Sequence, residues 1–110
     1  MLTITTLASG SSGNAALVSS GETHILLDGG ISARRIVMGL RALGVEPDQL
    51  RAILVTHEHH DHISGLPVFT KKRNIPIVAT QATCRCLAEK APNLASLLRV
   101  QEAGTGVQVG

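Results

Sequence analysis

The string Thr56-His57-Glu58-His59-His60-Asp61-His62 holds four of the chain's five histidines. A short apolar run, Ala52-Ile53-Leu54-Val55, leads into it and reads as a buried strand. On an extended backbone, residues two apart share a face, so His57 and His59 converge while Glu58 and His60 point away. If the chain then turns into a helix at Asp61 and His62, a carboxylate and another imidazole come back toward the same point. Imidazole nitrogen with carboxylate oxygen suits Zn²⁺, with Mn²⁺ or Fe²⁺ as alternatives. The chemistry such a site does best is hydrolysis, because a bound metal lowers the pKa of water to about 7 and so makes a nucleophile at neutral pH. A surface histidine patch that binds nothing is the weaker reading. Four titratable groups at the mouth of an apolar strand are poor packing material and costly without a role. His60 occupies the variable slot and is expected to face solvent. His24, alone on a strand, is expected to be structural.

The elements that must position these groups follow from the pattern. Thr3–Leu7, Asn14–Ser19 and Thr23–Leu27 read as three strands of an antiparallel meander, with a turn at Ser9-Gly10-Ser11-Ser12-Gly13 and another at Ser20-Gly21-Glu22. The third ends at Asp28-Gly29-Gly30. Ser32 then caps a helix whose stripe is Ile36, Leu40 and Leu43, flanked by Val37, and Gly44 stops it. After the motif the pattern predicts a short helix over Ile63–Lys72, interrupted or begun near Pro67. A strand over Ile75–Ala79 follows, with Pro76 near its start, then a helix from about Gln81 to Lys90, closed by Pro92. The tail from Leu97 reads as loop, with a final strand around Val107. Strands first and strand–helix alternation afterwards argue for a mixed α/β layer structure.

Composition narrows the class. With 110 residues there is one domain at most, and 44% apolar with 16% charged residues fits a globular core. Phe69 is the single aromatic residue. That weighs against a single-strand nucleic-acid module built on base stacking. The net charge of +2 permits an anionic substrate without demanding one. The basic run Lys71-Lys72-Arg73 is expected to be a solvated helix end. No apolar stretch approaches the ~20 residues of a membrane span, and Met1 is not followed by a signal-peptide pattern. The cytoplasm is therefore the expected compartment. Cys84 and Cys86, two apart on a helix, point to nearly opposite sides and are expected as reduced, semi-buried thiols.

The segment His57-Glu58-His59-His60-Asp61-His62 resembles the metal motif of the metallo-β-lactamase superfamily. The resemblance implies that His57 and His59 bind one metal and that Asp61 and His62 bind a second. Asp28 matches a family aspartate that holds the metal loop by hydrogen bonds without touching metal. A closer resemblance is to the YycJ-like branch, read as exonucleases. It is carried by Ser9-Gly10-Ser11-Ser12-Gly13-Asn14, by Leu26-Leu27-Asp28-Gly29-Gly30-Ile31-Ser32-Ala33 and by Val55 to Gly65. It makes the first of these a loop at the active-site rim, with Ser11, Gly13 and Asn14 as candidate rim residues.

The implied fold is the αββα sandwich of that superfamily, of which residues 1–110 form the amino-terminal half, an antiparallel/mixed sheet flanked by helices. The implied activity is hydrolysis of DNA or RNA phosphodiesters by a metal-activated hydroxide that Asp61 also orients, using two divalent ions, zinc first. Nucleic acid is the expected partner and no membrane is expected. The alternatives are a glyoxalase-like ester or thioester hydrolase, or a metal-binding fragment that turns nothing over. The chain has no histidine after His62, no aspartate after Asp61, and only Glu89 and Glu102 as later acids. A full two-metal shell is therefore expected to draw on a carboxy-terminal half absent here. An exposed apolar sheet face would follow, with a second copy or the missing half as its partner.

Overall fold

The computed structural model describes residues 2–10, 13–57 and 59–101, without the side chains of His60 and Asp61. Strands β1 (Leu2–Ala8), β2 (Ala15–Ser20) and β3 (Thr23–Leu27) form the expected meander. Helix α1 (Ala33–Ala42) follows, then β4 (Leu50–Leu54), the one-turn helices α2 (His60–Ile63) and α3 (Leu66–Phe69), β5 (Ile77–Ala79), α4 (Gln81–Lys90) and β6 (Leu98–Val100). Short 3₁₀ segments at Pro47–Gln49 and Pro92–Leu97 lead into β4 and β6.

The six strands make one mixed sheet in the order β1-β2-β3-β4-β5-β6. The β1–β2 and β2–β3 pairs are antiparallel, and the later pairs are parallel. Parallel neighbours in sequential order need crossovers, which are right-handed and so put their helices on one side of the sheet. Burial agrees. Leu17, Leu26, Ile53 and Ile77 stand in one cross-strand row and are all buried. They meet Ile36 and Leu40 of α1, Leu66 and Phe69 of α3, and Leu87 of α4 in one core. A core with one aromatic ring is filled by branched aliphatic side chains, as composition required.

The opposite face carries Ile4, Val18, Ile25 and Ala52 in one row and Ala16, Leu27, Leu54 and Val78 in the next. No described element packs over it. Ile4 is 65% exposed, and Val18, Ile25, Leu27, Leu54 and Val78 are only half-buried. The apolar face expected from the sequence is therefore present.

Local chemistry sets the element ends. The Ser32 hydroxyl accepts the Arg35 N–H, which caps α1. Gly44 leaves α1 at φ 78°, a left-handed turn that glycine makes without strain. The Thr80 hydroxyl accepts the Thr83 N–H at the start of α4.

Four expectations need correction. Leu43 is 43% exposed, because it forms the C-cap beyond the last buried turn. The helix expected over Ile63–Lys72 is two single turns broken at Ser64-Gly65. Lys71 and Lys72 lie in the turn after α3 and not on a helix, whereas Arg73 donates to the Phe69 carbonyl and stacks over its ring. The strand after Pro92 is Leu98–Val100, pairing with β5, in a stretch read as loop; Val107 lies outside the described residues. His24 is structural as expected, 2.6 Å from the Ser19 hydroxyl across β2 and β3. Cys84 is buried, Cys86 is half-buried, and neither is in a disulfide. Among the described residues no helix is long and apolar enough to cross a membrane.

Candidate metal centre

Strands β3 and β4 are parallel neighbours with Leu27 opposite Leu54, so their carboxyl ends lie side by side. Asp28 leaves the first and Thr56 follows the second. The Asp28 N–H donates to the Leu54 carbonyl at 2.7 Å, and the residue then adopts φ 61°. It is the only non-glycine residue at positive φ among those described. Aspartate tolerates this region better than most side chains. The turn brings its carboxylate, only 5% exposed, over the end of β4.

Three donors converge there. Oδ1 accepts the Thr56 N–H at 2.8 Å, and Oδ2 accepts the Thr56 hydroxyl at 2.8 Å. His62 Nδ1 lies 2.9 Å from Oδ2. An ionised carboxylate only accepts, so His62 donates from Nδ1, the tautomer whose lone pair sits on Nε2, the nitrogen a metal would take. Asp28, Thr56 and His62 thus share one hydrogen-bond network. The sequence reading gave Thr56 no role; its one signal was its place directly before the first histidine.

The next two residues hold the backbone of the metal segment. The Gly29 N–H donates to the His62 carbonyl at 2.7 Å, and the Gly65 N–H donates to the Gly29 carbonyl at 2.8 Å. The Ser64 hydroxyl donates to the Gly30 carbonyl at 2.7 Å. A helix of one turn leaves most of its carbonyls without internal partners. Asp28-Gly29-Gly30 supplies donors and acceptors from outside to hold α2 in place. The fit is tight enough that a Cβ on Gly65 would overlap the Ile31 carbonyl oxygen. Sequence reasoning treated Gly29-Gly30 as a turn and missed Ser64 and Gly65; glycines on both sides of one contact were the available signal.

The imidazoles gather as the alternation predicted. The His57 ring centroid lies 5.9 Å from that of His59 and 5.0 Å from that of His62. His57 Nδ1 lies 3.1 Å from the Thr56 hydroxyl. His57 and His59 are exposed, while His62 is half-buried. Helix α2 carries Asp61 on the same turn as His62, but the Asp61 and His60 side chains lie outside the described residues, as does Ser11. Among the described residues no three His, Cys, Asp or Glu side chains by themselves form a group able to hold a metal ion. The nitrogen donors fit a borderline divalent ion, and the described set covers only part of a shell.

The described residues on the carboxyl side of the glycine–serine segment pack on Gly30. Gly13, buried and at φ 142°, abuts Gly30, and the Gly30 N–H donates to the Asn14 carbonyl at 2.9 Å.

A sheet that turns from antiparallel to parallel, with a histidine cluster at the carboxyl ends of its parallel strands, defines an α/β domain with a candidate metal centre at that pole. Residues 8–102 match the model of the metallo-β-lactamase superfamily, and the chain belongs to it. The exodeoxyribonuclease WalJ of Streptococcus pneumoniae serotype 2 is 38% identical over 81 residues, covering 74% of this chain and 30% of the relative. The exodeoxyribonuclease YycJ of Bacillus anthracis is 35% identical over 88 residues, covering 80% and 33%. The chain thus spans about a third of the length of these curated relatives. Among solved structures, a B3 metallo-β-lactamase with an active-site glutamic acid superposes with TM-score 0.75 at 27% identity, over 92% of this chain and 44% of that one. The Rm3 metallo-β-lactamase gives 0.73 at 29%, over 92% and 44%.

Proposed function

We propose that this chain builds the metal-binding part of a nucleic-acid phosphodiesterase. The observation that carries the reading is the Asp28–His62 contact beside the imidazoles of His57 and His59, in a chain whose curated relatives include exodeoxyribonucleases. The lactamase neighbours share the fold, which by itself assigns no substrate.

When bound, two divalent ions, zinc first and manganese or iron as alternatives, would supply a water ionised near neutral pH and charge neutralisation at phosphorus. His57 and His59 would hold one ion through imidazole nitrogens; the Asp61 carboxylate and a His62 nitrogen would hold the other. Asp28 keeps the His62 proton on Nδ1, so that Nε2 points outward in the form a metal needs. Asp61 is the residue we assign to orient the attacking water. The chain has no histidine beyond His62 and no aspartate beyond Asp61. We therefore place the remaining ligands on polypeptide other than these residues, a carboxy-terminal half of the domain or a second copy. The compartment we assign is the cytoplasm, in keeping with cysteines, Cys84 and Cys86, that form no disulfide.

The test is zinc and manganese loading of the chain together with the carboxy-terminal half of the domain, followed by incubation with labelled single-stranded DNA and RNA. Metal-dependent cleavage that His59→Ala abolishes is the expected result. Loaded protein that leaves both nucleic acids intact but hydrolyses a thioester sinks the reading.

A further inference from the structure

The glycine–serine loop between β1 and β2 is closed by one side chain. Asn14 Oδ1 accepts the Gly10 N–H at 3.2 Å, and Asn14 Nδ2 donates to the Gly10 carbonyl at 3.0 Å. The same carbonyl accepts the Gly13 N–H at 3.2 Å. The Asn14 amide thus binds both main-chain groups of a residue four positions earlier, as a paired strand would. Its own main-chain carbonyl accepts the Gly30 N–H. Gly30 in turn receives the Ser64 hydroxyl on its carbonyl, directly after the helix that carries Asp61 and His62. A continuous set of bonds therefore runs from Gly10 through Asn14 and Gly30 to Ser64. On the Gly30 side the packing has no slack, since a Cβ on Gly13 would stand 2.5 Å from the Gly30 carbonyl oxygen.

We infer that Asn14 is a positioning residue of the site. It fixes Gly10 and Gly13 to the Gly30 backbone, so that these residues and the turn that follows His62 hold one spacing. The inference rests on the phosphodiesterase reading only for what approaches: an extended anionic strand, whose orientation over the metals the rim would constrain. The hydrogen-bond network itself does not depend on that reading.

The experiment is amide hydrogen exchange on the metal-free chain, comparing Asn14→Ala with the parent. Loss of the side-chain bonds is expected to speed exchange at Gly10 by roughly tenfold. Gly30 decides the matter. Its acceptor is the main-chain carbonyl of residue 14, which the substitution leaves in place. Faster exchange at Gly30, with the core amides of Leu26 and Ile53 unchanged, supports coupling. Gly30 protection equal to the parent's overturns it, because the clamp would then be local to the loop. Gly13→Ala opens the same contact from the other side and is expected to give the same Gly30 signature. In cleavage assays Asn14→Ala is expected to raise KM for an oligonucleotide with kcat preserved. If no phosphodiester is cut at all, the proposed function fails, while the exchange result still decides the role of Asn14.

Discussion

Replacing Asp28 by asparagine keeps the volume, the backbone conformation and one carbonyl oxygen, and removes one acceptor. Three donors face the carboxylate: the Thr56 N–H, the Thr56 hydroxyl and His62 Nδ1. Asparagine must therefore present its NH₂ to one side of the network. Facing the Thr56 N–H, it would set donor against donor with no remedy. Facing Oγ1 and Nδ1, it can be accommodated, because a hydroxyl accepts as readily as it donates and an imidazole can move its proton. The cost of that accommodation falls on His62. Its proton shifts to Nε2, and the lone pair that served the metal is lost. Outer-shell substitutions of this kind lower metal affinity by about 10–100-fold, or roughly 1.4–2.7 kcal/mol at about 1.4 kcal/mol per decade. Fold stability should change much less, since asparagine also tolerates the φ of 61° and the Thr56 N–H keeps its partner. Asp28→Ala differs. It strands a partly buried N–H, at about 1–3 kcal/mol, and places a Cβ residue without local hydrogen bonding in the left-handed region. Competition titration against a zinc-chelating dye reads the affinity, and thermal unfolding of the metal-free protein reads the stability. The expected split is weak zinc binding with a near-parental Tm for Asp28→Asn, and loss of both for Asp28→Ala. Asp28→Asn with parental zinc affinity would refute the tautomer argument. So would an affinity loss that merely follows unfolding.

Other substitutions test the surrounding claims. His57→Ala and His59→Ala remove exposed side chains, so each should lower zinc affinity with Tm unchanged within about 2 °C on the usual size scaling; a large drop in Tm would mean the imidazoles are packing groups. Gly65→Ala drives a Cβ into the Ile31 carbonyl, backbone against backbone, and is expected to cost about 3 kcal/mol or more, read by chemical denaturation. A parental midpoint would show that the loop can move aside. Ile25 and Leu26 are neighbours on opposite sheet faces, one half-buried and one at 0% exposure. Leu26→Ala should therefore cost about 2–5 kcal/mol, and Ile25→Lys much less; equal losses would show that the Ile25 face is covered. Ser32→Ala should cost about 1 kcal/mol through loss of the α1 cap.

What the sequence disclosed followed the range of the forces involved. The apolar strand ending at Leu27 and the capped stripe from Ser32 are local signals, and both elements stand where they were expected. The nearness of His57 and His59 was legible from their spacing, and their ring centroids lie 5.9 Å apart. The break at Ser64-Gly65 was not. It exists because Gly65 has to approach Gly29 and Ile31, more than thirty residues earlier, and nothing in the local string records that contact. Strand β6 was missed because its three residues, Leu98-Arg99-Val100, carry no alternation long enough to read. They are extended because β5 offers them an open edge.

The separation of Asp28 from Thr56 by 28 residues is what the sheet turns to advantage. Had β3 and β4 been antiparallel, the end of one would lie beside the start of the other, and Asp28 would face Leu50. The crossover through α1 makes them parallel, so the residue after β3 and the residues after β4 meet at one pole. Carboxyl ends of neighbouring parallel strands are where open α/β sheets leave a crevice for ligands. In this chain the crevice lies beside the place where the sheet changes from antiparallel to parallel. β2, running the other way, starts at that pole and delivers Asn14 to Gly30. Three consecutive residues, Asp28 to Gly30, thus reach an imidazole, a helix end and the rim loop. A metal-bearing turn too short to hold its own shape is held by a loop whose position the strand order dictates.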